Sequence, residues 1–305
     1  MTASSILEPR LLAQLDRLAL VSRRMRAGQI QGERRSPKRG GSVEFADFRT
    51  YATGDDFRQI DWNAYARLER LFVKLFVAEE DLTVHVWLDA SRSMAWGDPQ
   101  KFDFARRLAA ALGYVALVGL DRVTAVALTG TADGDGGAVA TSAAATDFRP
   151  HRGKRQALAW FGWLSGIEAG GELDVLPALR SALRRTRHPG PLILLSDLLG
   201  PGWEDGLRLL AQQRYEVTVL HVLAPQELRP DLDGDLRLVD SENRSAIEIT
   251  ADFDLLQRYQ ARLAAWQTHL RQACAAVGAH YLSVETTLPL EELVLSYLRR
   301  YGVLR

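Results

Sequence analysis

The chain predicts an α/β protein built on a doubly wound, mostly parallel sheet, with an N-terminal helix and a charged hairpin-like extension. Three observations carry this. Leu82–Asp89 and Pro191–Ser196 are short, almost uninterrupted apolar runs, the pattern of strands buried on both faces. Segments of helical periodicity lie between such runs, and strands alternating with helices imply parallel pairing through crossovers. Both runs lead into an aspartate, Asp89 and Asp197, at the strand end where open α/β sheets gather their ligands.

At 305 residues the chain suits one large α/β domain or two smaller ones, and the change of character near residue 81 divides it into 1–81 and 82–305. Acidic and basic residues balance at 38 each, so net charge gives no reason to expect nucleic acid as a partner. Cys274 is the single cysteine, which excludes an intramolecular disulfide and a cysteine-rich zinc site. No charged start followed by an apolar run opens the chain, and the apolar stretch Leu108–Leu120 is too short to span a bilayer. The expectation is a soluble, cytoplasmic protein without membrane insertion.

Leu7, Leu11, Leu12, Leu15, Leu18 and Ala19 recur at helical spacing and predict an opening amphipathic helix. Arg23 to Arg39 is a basic, glycine-containing stretch: a solvated linker, or an arm for phosphate or an acidic partner. It has no interleaved aromatics, so it is no single-strand nucleic-acid platform. From Ser42 to Val77, acids, arginines and aromatics crowd together, with a turn at Thr53-Gly54-Asp55. Arg49, Arg58 and Arg67 lie near Asp47, Asp55, Asp56 and Asp61, the makings of bidentate pairs. Such a network either pins the segment to the main domain or contacts a partner, and Asp55, Asp56, Arg58, Asp61 and Trp62 are the candidate contact residues.

After the strand ending at Asp89, Asp98 is placed to cap a helix with Pro99 at its first position. That helix runs to Leu120 and packs through Phe102, Ala105, Ala109, Leu112, Val115 and Ala116, with Gly113 allowing close approach to the sheet. Arg122–Leu128 is the next strand, Gly130–Gly137 a turn, and Ala138–Phe148 a short returning strand. Helices follow at Lys154–Ser165, Val175–Thr186 and Trp203–Gln213, flanking the strand Pro191–Ser196 and preceding Tyr215–Leu223. Leu236–Val239 and Ala246–Ile249 are paired strands. A long helix, Ala251–Val277, a strand, His280–Val284, and a helix, Leu290–Tyr301, close the chain.

Asp89, Ser91 and Ser93 put a carboxylate and two hydroxyls at alternate positions past a buried strand. These are hard oxygen donors with little charge, suited to Mg²⁺ or Mn²⁺. The Asp-x-Ser-x-Ser spacing resembles the metal-ion-dependent adhesion site of von Willebrand factor A domains. The resemblance implies a third-loop aspartate, for which Asp197 stands, and a second-loop threonine. Gly170-Gly171-Glu172-Leu173-Asp174 lacks that threonine, leaving Glu172 or Asp174 as substitutes.

A second resemblance covers most of the chain from about Gly41. Glu44-Phe45, Arg49-x-Tyr51, Gly54-Asp55-Asp56-x-Arg58-x-Ile60-Asp61-Trp62 and Ala66-Arg67, followed by Asp89-Ala-Ser-Arg-Ser-Met, resemble the signature of the domain of unknown function 58 family. The resemblance implies a bacterial protein with a von Willebrand factor A-like domain at 82–305. It also implies a MoxR-type AAA+ ATPase, or that ATPase's client, as partner, and a non-enzymatic adaptor role in protein assembly or maturation. The alternative is a metal-dependent phosphohydrolase with Asp89 as nucleophile, but Ser91 stands where its general acid belongs. Gly-x-Ser-x-Gly, Gly-x-Gly-x-x-Gly and Walker A runs are absent. His85, His151, His188, His221, His269 and His280 show no ligand spacing.

Overall fold

The computed structural model describes residues 6–18, 20, 43–52, 55, 57, 60–78, 82–129, 147–186, 188–240, 245–300 and 303–304. The chain forms two compact units: Met1–Arg26 together with Leu82–Arg305, and Ala27–Asp81. The basic stretch 23–39, the turn 130–137 and the predicted strand start at 138–146 lie outside the described residues.

In the smaller unit, β1 (Val43–Thr50) and β2 (Phe72–Ala78) pair antiparallel, with a bulge between Phe45 and Asp47. Between them lies α1 (Trp62–Leu68), and Ile60 bridges Val73. Asp61 starts this helix, accepting from the amides of Asn63 and Ala64 at 2.9 and 3.1 Å. Those amides have no intrahelical acceptor, so a capping carboxylate contributes about 1 kcal/mol. Asp61→Ala is expected to speed hydrogen exchange at Asn63 and Ala64; unchanged rates would show that the cap does not hold the helix.

The larger unit is built on one six-stranded sheet. Its strands are β3 (Thr83–Asp89), β4 (Arg122–Leu128), β5 (Asp147–Arg152), β6 (Pro191–Ser196), β7 (Glu216–Leu223) and β10 (His280–Glu285), in the spatial order β10-β7-β6-β3-β4-β5. All neighbours pair parallel except β5, which lies antiparallel on β4 at one edge. The doubly wound, mostly parallel sheet predicted from the apolar runs is therefore present. Strand order reverses between β3 and β6, which opens a crevice at their carboxyl ends. A separate antiparallel pair, β8 (Gly234–Val239) and β9 (Ala246–Ala251), interrupts the alternation.

Helices cover both faces of the sheet and divide the core into two layers. Val84, Val86 and Leu88 of β3 join the layer of the long helix α3 (Lys101–Val118). Trp87 points the other way, into the layer of α5 (Val175–Arg185), α6 (Trp203–Gln212) and α8 (Phe253–Ala276). This is why β3 has no polar face: each side of the pleat meets a helix. The opening helix, α2 (Pro9–Leu15), is shorter than its periodicity suggested and buries Leu11 and Leu15 in the first layer. Leu20 bridges Leu304 near the other end of the chain. The closing segment is helical as predicted but contains a π turn, Leu293–Tyr297, between Leu290–Glu292 and Leu298–Arg300.

Two local expectations are corrected. α3 begins at Lys101, not at Pro99, and its N-cap is Gln100, not Asp98. The close approach at Gly113 is to a helix: a Cβ there would stand 2.5 Å from the ring of Trp160, on α4 (Ala157–Ser165). Among the described residues no helix is long and apolar enough to cross a membrane.

Candidate functional site at the strand ends

β3 ends in the loop that carries the three predicted donors. The Ser91 amide donates to Asp89 Oδ1 at 2.9 Å, turning the chain at once, and a 3₁₀ turn, Arg92–Ala95, follows. The hydroxyls of Ser91 and Ser93 are 3.0 Å apart. From β6, Ser196 Oγ donates to Asp89 Oδ2 at 2.5 Å, and the Leu198 amide donates to Ser196 Oγ at 2.9 Å. Asp197 follows, with Oδ1 accepting from the Leu199 amide at 3.2 Å. Leu198 is held at φ 55, a left-handed conformation unfavourable for leucine, and this strain sits at the switch point. Asp89, Ser91, Ser93 and Asp197 are all buried and line one cleft of about 10 Å³, room for a single water or ion.

The second loop runs against the first, with Arg92 N–H donating to Gly171 O at 2.9 Å and Gly170 N–H to Ala90 O at 2.8 Å. Leu173, beside Val175 and Trp203, lines the cleft. Glu172 and Asp174 are exposed, so the loop offers the cleft an apolar side chain where the resemblance places a hydroxyl.

The sequence reading missed Lys101. Its ammonium, fully buried, donates to Asp197 Oδ2 at 2.7 Å and to Glu227 Oε1 at 2.5 Å. Glu227 comes from the short helix α7 (Pro225–Leu228), where its other oxygen accepts from the Ala224 amide at 2.7 Å. The signal for Lys101 was present: it lies one to three helical turns before Ala105, Leu108 and Leu112, on the same buried stripe.

Burial sets the electrostatics. It pushes Asp89 up to about 7, the Asp197 charge adding to the effect and hydrogen bonds from Ser196 and Ser91 opposing it. Burial pulls the Lys101 ammonium down, but Asp197 and Glu227 outweigh it and its pKa stands above the usual lysine value. His221, buried in β7, is pushed down to about 4 by desolvation, against the pull of Asp197.

This donor set fits Mg²⁺ poorly. Asp197 shares its charge with an ammonium, the second loop brings leucine, and among the described residues no three His, Cys, Asp or Glu side chains converge as a metal group.

The other candidate residues are in the smaller unit. Arg49 Nη2 pairs with Asp55 Oδ1 at 2.8 Å, and Asp55 Oδ2 accepts from the Ala52 amide at 2.9 Å. Asp61 is the helix cap. Trp62 is exposed, edge-on to Tyr65 at 6.2 Å between centroids. Asp56 and Arg58 lie outside the described residues.

Fold and site together define an α/β protein with a polar constellation at the switch point of a doubly wound sheet. The chain belongs to the family described as protein of unknown function DUF58, which matches residues 47–269. An uncharacterized protein of Mycobacterium tuberculosis (strain ATCC 25618 / H37Rv) is 29% identical over 290 residues, covering 94% of this chain and 88% of that protein. An uncharacterized protein of Mycobacterium bovis (strain ATCC BAA-935 / AF2122/97) matches to the same extent. Among solved structures, the conserved hypothetical protein BatB from Bacteroides thetaiotaomicron is similar, with a TM-score of 0.41 and 16% identity, over 72% of this chain and 98% of that one. The pilus adhesin SpaC from Lactobacillus rhamnosus GG gives a TM-score of 0.42 and 14% identity, over 72% of this chain and 30% of that one.

Proposed function

We propose that this chain is a non-enzymatic interaction protein of the von Willebrand factor A-like kind, docking a protein partner on its strand-end face. Following the family resemblance, the partner is a MoxR-type AAA+ ATPase or that ATPase's client in the cytoplasm. One observation carries the reading. The cleft at the switch point has room for one water, and two exposed apolar side chains, Trp96 and Leu199, stand on the loops that leave β3 and β6 there. Exposed apolar side chains beside a cleft too small for a substrate suit a protein surface, and tryptophan is among the side chains most enriched at binding hot spots.

The test is binding of the purified ATPase to the full chain. Trp96→Ala with Leu199→Ser is expected to weaken it at least about tenfold, the loss typical of one hot spot. Loss of binding in Asp55→Arg, with the Trp96/Leu199 variant binding normally, would move the contact to the smaller unit. Mg²⁺-dependent hydrolysis of p-nitrophenyl phosphate, abolished by Asp89→Asn, would instead establish the phosphohydrolase.

A further inference from the structure

The strand-end constellation holds a cation of its own. Lys101 is fully buried in the first turn of α3, where the helix dipole disfavours positive charge. A buried ammonium persists only when paired and hydrogen-bonded. Its partners come from two other strand-end loops: Asp197, after β6, at 2.7 Å and Glu227, after β7, at 2.5 Å. Glu227 is held in turn by the Ala224 amide, and the Tyr259 hydroxyl of α8 donates to the Glu227 carbonyl at 2.6 Å. One side chain therefore joins α3 to the ends of β6 and β7 and cancels carboxylate charge at the switch point. A divalent ion between Asp89 and Asp197 would likewise cancel carboxylate charge there.

We propose that Lys101 is the resident cation of this site, so that the network is complete without a metal and accepts a divalent ion only when the lysine is removed.

Thermal unfolding of the full chain, with and without millimolar Mg²⁺ or Mn²⁺ and with chelator, tests it. The wild-type melting temperature is expected to be the same in all conditions. Lys101→Met leaves two carboxylates facing each other without a cation, and its melting temperature is expected to fall by about 10 °C. Millimolar Mn²⁺ or Mg²⁺ is expected to recover several degrees in this variant, because an ion bound only to the native state stabilises it. Adding Asp197→Asn to Lys101→Met should recover stability without metal and abolish the metal response. If Lys101→Met yields no folded protein, the Lys101→Met/Asp197→Asn/Glu227→Gln variant decides: it folds if the lysine serves charge balance, and its failure to fold overturns the proposal. A wild-type melting temperature raised by Mg²⁺ and insensitive to it in Asp89→Ala would overturn it too. So would a Lys101→Met protein as stable as wild type and blind to metals.

Discussion

Replacing Gly113 with alanine is expected to lower the stability of the larger unit by about 3 kcal/mol, the upper range for overpacking a rigid core. The added Cβ would stand 2.5 Å from Trp160 Cε2. The indole has nowhere to retreat. It is fully buried, donates its N–H to Ala110 O at 3.2 Å, stacks on Trp163 at 5.4 Å and meets the edge of Phe148 at 5.0 Å. Moving it loses all three contacts. The same substitution at Gly162, also helical, meets nothing within 4 Å and is expected to stabilise by up to about 1 kcal/mol through helix propensity. Urea unfolding of both variants measures the contrast. In a Trp160→Phe background the Gly113→Ala cost should shrink, since the two residues share one space. Equal stabilities of Gly113→Ala and wild type would mean that the ring yields freely.

Acidification from pH 7 to pH 4 is expected to cost the protein about 3 kcal/mol net, from three buried groups of opposing sign. His85 donates from Nε2 to His188 O at 2.9 Å, and burial pushes its pKa down to about 4. His221 is pushed to about 4 by the same cause. Both titrate near 6.5 in an unfolded chain. Between those values the unfolded state binds more protons, so stability falls as pH falls, by about 3 kcal/mol per histidine. Asp89 works the other way. Its folded pKa of about 7 exceeds the unfolded value near 3.9, so the native state binds the extra proton and gains about 3 kcal/mol over the same window. The two histidines outweigh the aspartate. His85→Gln, which keeps a donor for His188 O, is expected to flatten the profile, and Asp89→Asn to steepen it to about 6 kcal/mol. Chemical unfolding at several pH values reads all three slopes; a steeper profile in His85→Gln would refute the assignment.

The fold was legible where side-chain pattern and burial coincide. The strands ending at Asp89 and Ser196 are apolar on both sides because both sides meet helices, and their shortness and β-branched content favour strand over buried helix. Boundaries were less legible. Asp98-Pro99 carries the chemistry of a helix start, yet the tertiary fold delays the helix to Lys101. Gly113 was recognised as a close approach, but the approach is to Trp160, about fifty residues ahead, which no local window reveals. At the site, Asp89, Ser91, Ser93 and Asp197 were found because their spacing is a motif. Lys101 escaped because a single lysine is ordinarily a surface residue; only its place on the stripe of Ala105, Leu108 and Leu112 marked it as buried. Glu227 lay in a charged, turn-rich stretch where one acid among many carries no pattern. Trp96 and Leu199 are exposed apolar residues on loops, and exposure has no periodicity to detect.

The bridge between Leu20 and Leu304 means that the larger unit is completed only after residues near 304 have been made. Residues 27–81 interrupt the larger unit in sequence but are contiguous themselves, so β1 and β2 can pair soon after leaving the ribosome. Ile6, Leu7, Leu11 and Leu15 are made before that unit, yet the core layer they occupy also contains Leu293, Leu298 and Leu304. The nested unit can therefore finish while the enclosing one waits, the core layer of its leading helix incomplete until residues near 304 have been made. A chain stalled short of these residues would leave that layer incomplete, with apolar surface of the kind on which chaperones and proteases act.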